Sequence, residues 1–273
     1  MKSLKKTLLF RFQLLLVAAL VGGILPSHAI AQAWPPAPYI PDAPKPQPKT
    51  EPVTLRETPK NILYDQGAIW SSPVRIREKD LKYLVPLGLA TTVAIASDHE
   101  AMTDVVSRDP DFNHKNVQVS NALTAGLLGA PAVFFGVGQF GGNPHARETG
   151  ILAGEAVVNG LAVEQGIKLM TWRERPSVND AKGKFWQSSA GWDSSFPSSH
   201  SLLVWSSAAV MAEEYPSWWM QTGIYTLATG VSLTRVLGQE HFPSDVLVGS
   251  AFGWMVGHYV YKKHHHWRNP NYH

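Results

Sequence analysis

The 273-residue chain contains no cysteine. That absence removes disulfide staples, thiolate metal sites and cysteine nucleophiles. Charge is scarce as well, at 16% Asp, Glu, Lys and Arg against 44% hydrophobic residues. A chain of this length and composition can bury a sizeable core and is not a disordered polyelectrolyte. There is no G-x-S-x-G elbow and no Walker loop, which sets aside those hydrolase and nucleotide-binding chemistries. Strand-like alternation is nowhere long enough to argue for a sheet, and no internal repeat is present. Long apolar runs are also missing from the body of the chain. Its purest windows, Tyr83 to Ser97 and Val246 to Tyr261, are 15–16 residues, short of the roughly 20 of a spanning helix.

What is present begins with an export signal. Lys2, Lys5, Lys6 and Arg11 precede a mostly apolar stretch from Gln13 to Leu25, and small residues follow at Ala29, Ala31 and Ala33. Residues 1–33 therefore read as a signal peptide, with an uncleaved membrane anchor as the alternative. The formal charge of +3 comes from this segment. Taking its four basic residues from the total of 24 leaves 20 against 21 acidic ones. The exported chain is near neutral, and nucleic acid is not an expected partner. Residues 34–60 hold nine of the 20 prolines, a composition that favours extended polyproline geometry and reads as a tether.

Residues 61–263 read as one all-α domain, a bundle of about six core helices at 79–97, 118–140, 147–172, 199–213, 217–237 and 244–262. Pro131 is expected to kink or divide the second of these. A slightly negative mean hydropathy, with Glu155, Glu164 and Lys168 inside the third helix, favours a soluble exported bundle over an integral one. Residues 264–273 form a basic, His-rich tail. A structural metal site is not expected at His264, His265 and His266, because adjacent residues on one helix end point in different directions. A solvated tail, or weak contact with anionic headgroups, is the expectation.

Two motif fragments fail. His99-Glu100 starts like a zinc-protease helix, but Thr103 stands where the second His is required. Asp109, Asp111 and Asn113 start like a calcium loop, but His114 and Ser120 occupy the Gly and Glu positions.

Three segments carry the chemistry. In the first, Lys168 and Arg175 are seven residues apart, about 700° of helix, so they share one face. Pro176 is expected to end the helix at Arg175. The plain alternative is a Lys168–Glu164 pair one turn apart. In the second, Pro197-Ser198-Ser199-His200 precedes a helix whose first amides make a seat for a phosphate-like anion. His200 is placed to protonate a leaving oxygen, although Ser198 also suits a plain N-cap. In the third, Thr234-Arg235 is followed by His241 and Asp245. Gly238 can stop one helix and Pro243 can open the next. Asp245 would then accept from one imidazole nitrogen of His241 and leave the other outward as a nucleophile.

Together the blocks resemble the signature of the superfamily of type 2 phosphatidic acid phosphatases, bacterial class A acid phosphatases and vanadium haloperoxidases. That signature is Lys, six residues, Arg-Pro; Pro-Ser-Gly-His; Ser-Arg, five residues, His, three residues, Asp. Ser199 replaces its Gly and Thr234 its Ser. The resemblance implies a helical bundle with the active site between helices. It also implies that Lys168, Arg175, Arg235, Ser198 and Ser199 bind phosphoryl oxygens. His241 would be the nucleophile, Asp245 its support and His200 the acid and base. It implies no metal and no cofactor, and vanadate only if the chain is a haloperoxidase.

The expected function is an exported, metal-independent phosphatase of the periplasm or cell envelope, acting on lipid phosphates or small phosphate esters. A haloperoxidase on the same site and a non-catalytic anion-binding relative are the alternatives. Trp172, Trp186 and Trp192 flank the motifs and are candidates for lining an acyl or aromatic channel.

Overall fold

The computed structural model describes residues 53–187 and 193–266. The signal peptide, most of the tether, Trp192 and the end of the tail lie outside the described residues. Among those described there are seven helices and no strand: α1 Thr58–Ser71, α2 Glu78–Glu100, α3 Pro110–Gly141, α4 Pro144–Thr171, α5 Ser199–Glu214, α6 Trp218–Leu237 and α7 Pro243–His264. The fold class is all-α, as the sequence indicates.

Helix α5 is the axis of the bundle and packs against α4, α6 and α7. Nearly every residue from Ser201 to Ala212 is buried, which explains why α5 shows no amphipathic stripe: a helix covered on all sides has no face to keep polar. Its Trp205 stacks on Tyr225 of α6, ring centroids 5.4 Å apart. The α5–α7 contact is close because α7 presents glycine to it. A Cβ on Gly253 would stand 2.2 Å from the Leu202 carbonyl oxygen, and one on Gly257 2.3 Å from that of Ser206. This spacing fixes the start of α5 beside the start of α7.

Several helix ends obey local signals. Gly238 caps α6 and Pro243 opens α7. Asp109, the failed calcium residue, accepts from the amides of Asp111 and Phe112 and starts α3.

Four expectations need correction. Helix α1 begins at Thr58, inside the proline-rich stretch; Pro59 occupies its first turn, where a missing amide costs nothing. Helices α2 and α3 extend into the expected 98–117 loop. Pro131 does not divide α3, which runs unbroken through it. The carbonyl that proline leaves without a helical partner is that of Leu127, and Ser207 on α5 donates its hydroxyl there at 3.1 Å. Finally, α4 stops at Thr171, within one residue of the expected 172 but four residues before Arg175, so Pro176 does not end it. Trp172 turns left-handed (φ 39°, ψ 54°), and the freed carbonyls of Thr171 and Trp172 accept from Trp186 and Gln187. Pairing with the loop outweighs one more helical turn.

Helix α3 is long and apolar enough to cross a membrane, and only 17% of its most apolar window is buried. Val133, Val137 and Phe140 stand exposed along it, as do Leu89 and Val93 on α2.

Candidate functional site

Lys168 lies in the last turn of α4. Its Nζ pairs with Glu164 at 2.9 Å and donates to Ser199 Oγ at 2.9 Å. Ser199 Oγ in turn donates to Glu164 Oε1 at 2.6 Å. The plain Lys–Glu pair is therefore real, and Ser199 spends its hydroxyl anchoring the lysine. Ser198 N-caps α5, its Oγ accepting from the Ser201 amide and hydroxyl. The amides of Ser199 and His200 have no intrahelical acceptor in that first turn and remain donors for an anion.

Arg175 reaches the site from extended backbone instead of the helix face it would share with Lys168. Its guanidinium donates to Asp193 Oδ1 at 2.7 Å and to Glu240 Oε2 at 3.0 Å. Arg235, in the last turn of α6, donates to the same Glu240 oxygen at 3.1 Å. Its Nε is buried with no hydrogen-bond partner. Burial lowers the Arg235 pKa, with Glu240 opposing and Arg175 adding to the effect. Two guanidiniums thus converge, and one buried donor is unspent.

His241 is buried in the turn between α6 and α7. Its Nδ1 lies 2.8 Å from the Ser195 carbonyl oxygen and 3.6 Å from Asp245 Oδ2. A carbonyl only accepts, so Nδ1 carries the proton and Nε2 carries the lone pair. The sequence reading gave this role to Asp245. The nearer acceptor is the Ser195 backbone, because 3.6 Å is too long for a hydrogen bond. Asp245 instead accepts from the Ser195 hydroxyl and the Phe242 amide, which holds the Ser195 turn against the ring. Burial lowers the His241 pKa, with Asp245 opposing that shift.

His200, the second residue of α5, reports the convergence. Burial pushes its pKa down to about 4, and Arg235, His241, Arg175 and Lys168 all push the same way. The residues from three sequence-distant segments therefore surround one imidazole.

Arg173 was missed. It is buried and donates to Asp245 Oδ1 at 2.6 Å, Asp98 Oδ2 at 2.7 Å, Ser244 Oγ at 2.7 Å and the Gly183 carbonyl at 3.1 Å. The rings of Phe242 and Phe185 face its guanidinium at 4.2 and 4.7 Å. Burial acts to lower its pKa, but Asp245 and Asp98 overcome that and raise it. Burial likewise acts to raise Asp245, and Arg173 overcomes it so that the carboxyl stays ionised. Ser195 and Glu240 were missed too: Ser195 lies outside the motif blocks, Glu240 is one of the unspecified residues within the third, and only the folded contacts reveal their roles. Of the flanking tryptophans, Trp172 caps α4 and Trp186 is 77% exposed.

Residues 149–269 match the family model of the PAP2 superfamily. The lipid A 1-phosphatase of Porphyromonas gingivalis is 36% identical over 70 residues, 24% of this chain. That match spans only 16% of the relative's own length. The crystal structure of the first transmembrane PAP2 type phosphatidylglycerolphosphate phosphatase from Bacillus subtilis aligns with 78% of this chain and 98% of its own, at 17% identity and a TM-score of 0.43. The match to the PAP2 superfamily model, over residues 149–269, encloses all the candidate residues from Lys168 to Asp245.

Proposed function

We propose that this chain is a phosphatase that hydrolyses phosphate monoesters of lipids through a phosphohistidine on His241. The observation that carries the reading is the fixed tautomer: the Ser195 carbonyl takes Nδ1–H at 2.8 Å, so Nε2 is the nucleophilic nitrogen. Lys168, Arg175, Arg235 and the first-turn amides of α5 neutralise the phosphoryl oxygens. His241 Nε2 forms the N–P bond as the ester P–O bond breaks, and His200 delivers a proton to the departing alkoxide. His200 then takes a proton from the water that attacks phosphorus, and the N–P bond breaks to release phosphate.

In the free protein burial, reinforced by the surrounding cations, keeps His200 neutral. A phosphate dianion reverses the local field and raises the His200 pKa, which arms it as an acid when substrate arrives. Lipid substrates are supported by the named activity of the Porphyromonas relative and by the apolar exposed surface of α3. We place that helix in the bilayer of the cell envelope, after export directed by residues 1–33. We take the signal peptide and tether as read from sequence, except that helix α1 begins at Thr58, within the residues assigned to the tether.

Purified chain in detergent, given phosphatidic acid, a polyprenyl diphosphate or a sugar phosphate, is expected to release phosphate fastest from phosphatidic acid, with EDTA present. Substrate labelled in its phosphate should leave an acid-labile label on the protein that His241→Ala abolishes. Undiminished turnover by His241→Ala overturns the nucleophile assignment. Bromide oxidation by the vanadate-loaded protein would favour the haloperoxidase instead. Activity stripped from membranes by a carbonate wash would overturn the bilayer placement.

A further inference from the structure

The far end of α7, roughly 30 Å along its axis from Asp245, holds a second concentration of ionisable groups. Asp65 of α1, Glu155 of α4 and His264 of α7 meet there, with ligand atoms all within 4.8 Å of one another. Asp65 and Glu155 are each 1% exposed. His264 Nε2 lies 3.0 Å from Asp65 Oδ1 and 3.1 Å from Oδ2, and 3.4 Å from Glu155 Oε1. One ring nitrogen therefore faces two carboxylates but can offer only one proton. Asp65 takes it. Both oxygens of Glu155 are buried without a well-formed hydrogen bond, with the Thr58 and Asn61 side chains as nearby donors. A buried carboxylate left in that state is costly.

We propose that Asp65, Glu155 and His264 bind a divalent transition metal of the zinc class, which ties α1, α4 and α7 together. A cation in place of the shared proton bonds all three groups at once. Zinc bonds of 2.0–2.1 Å in tetrahedral geometry set neighbouring ligand atoms about 3.4 Å apart, and the imidazole-to-carboxylate separations here are 3.0–3.4 Å. Supporting contacts are in place: Asn159 Nδ2 donates to Asp65 Oδ2 at 3.1 Å, and Gln66 donates to Asn159 Oδ1 at 2.8 Å. Three adjacent histidines do not make this site; one of them does, with carboxylates from two distant helices. The neighbouring set Glu148, Glu214 and His265 differs. His265 Nδ1 pairs with both carboxylates at 3.2 and 3.0 Å, His145 bonds Glu214 and the His266 amide bonds Glu148. Those carboxylates already have donors.

The untagged full chain, stripped with chelator, reloaded with zinc sulfate and passed through a desalting column, is expected to retain one zinc per chain by elemental analysis. Retention should vanish in Glu155→Gln and in His264→Gln and persist in His265→Gln. Failure of the wild type to retain zinc, or undiminished retention in Glu155→Gln and His264→Gln, overturns the proposal. Loss in His265→Gln alone would overturn it in favour of the neighbouring set. Should the variants not fold, zinc-edge absorption on the wild type decides: one imidazole with oxygen neighbours is expected, and two or more imidazoles would reassign the metal to the histidine run.

Discussion

Glu240 stands between Arg175 and Arg235 with one oxygen shared by both, the position that charge complementarity reserves for a phosphoryl oxygen. Under the proposed function, a phosphate ester displaces it. Glu240→Gln removes the competing charge, so KM and the inhibition constant for vanadate should fall several-fold while kcat changes little; steady-state kinetics with and without vanadate check this. Asp245 carries two duties, supporting the Ser195 turn and neutralising buried Arg173. Asp245→Asn should lower kcat by roughly 10²-fold or more, and leaving Arg173 short of a partner should cost about 3–5 kcal/mol, read by denaturant unfolding. His200 is held near pH 4 in the free protein by burial and by its cationic neighbours. Nuclear magnetic resonance titration of its ring should find the pKa low without ligand and raised when vanadate is bound. These residues were legible to different degrees. His200, His241 and Arg235 were visible because motif spacing reports chemistry. Ser195, Glu240 and Arg173 were not, because each acts through a partner far away in sequence.

Among elements, α5 and α7 matter most, since His200 rides on the start of one and Asp245 on the start of the other. Their spacing depends on Gly253 and Gly257, where a methyl group would stand 2.2 and 2.3 Å from backbone oxygens of α5. Gly253→Ala should therefore lower stability by about 1–3 kcal/mol and reduce activity as the two helix starts part; thermal unfolding and phosphate release measure the two effects. The uninterrupted α3 rests on a partner as well. Ser207 supplies the donor that Pro131 takes from the Leu127 carbonyl, so Ser207→Ala should cost about 1–3 kcal/mol. The sequence placed Pro131 correctly in a helix but showed only its cost, because the compensating hydroxyl lies on another element.

Across the whole molecule, two histidines at opposite ends set opposing pH limits on stability. The His200 pKa is lower folded than unfolded, so the unfolded chain binds more protons between about pH 6.5 and 4. Stability falls as pH drops through that window. His265 is raised to about 9 by Glu148 and Glu214, which overcome the effect of burial. Its contribution is complete below pH 6.5 and is lost as pH rises toward 9. His200→Gln should remove the acid destabilisation that this histidine contributes between pH 6.5 and 4, and His265→Gln the loss it contributes toward pH 9, both read from melting temperatures. Composition, punctuation and motif spacing by themselves determined the helical class, most helix limits near Gly, Pro and Asp signals, and which residues to propose as the anion-binding set, because those depend on local backbone chemistry and on residue types at fixed intervals. Only tertiary structure decided where α4 stops, which acceptor orients His241, what crosses between Arg175 and Arg235, and that His264 and His265 dock against buried carboxylates. The reason is physical: a buried polar group takes whichever partner the packing brings within about 3 Å, and packing joins residues whose separation in sequence carries no signal.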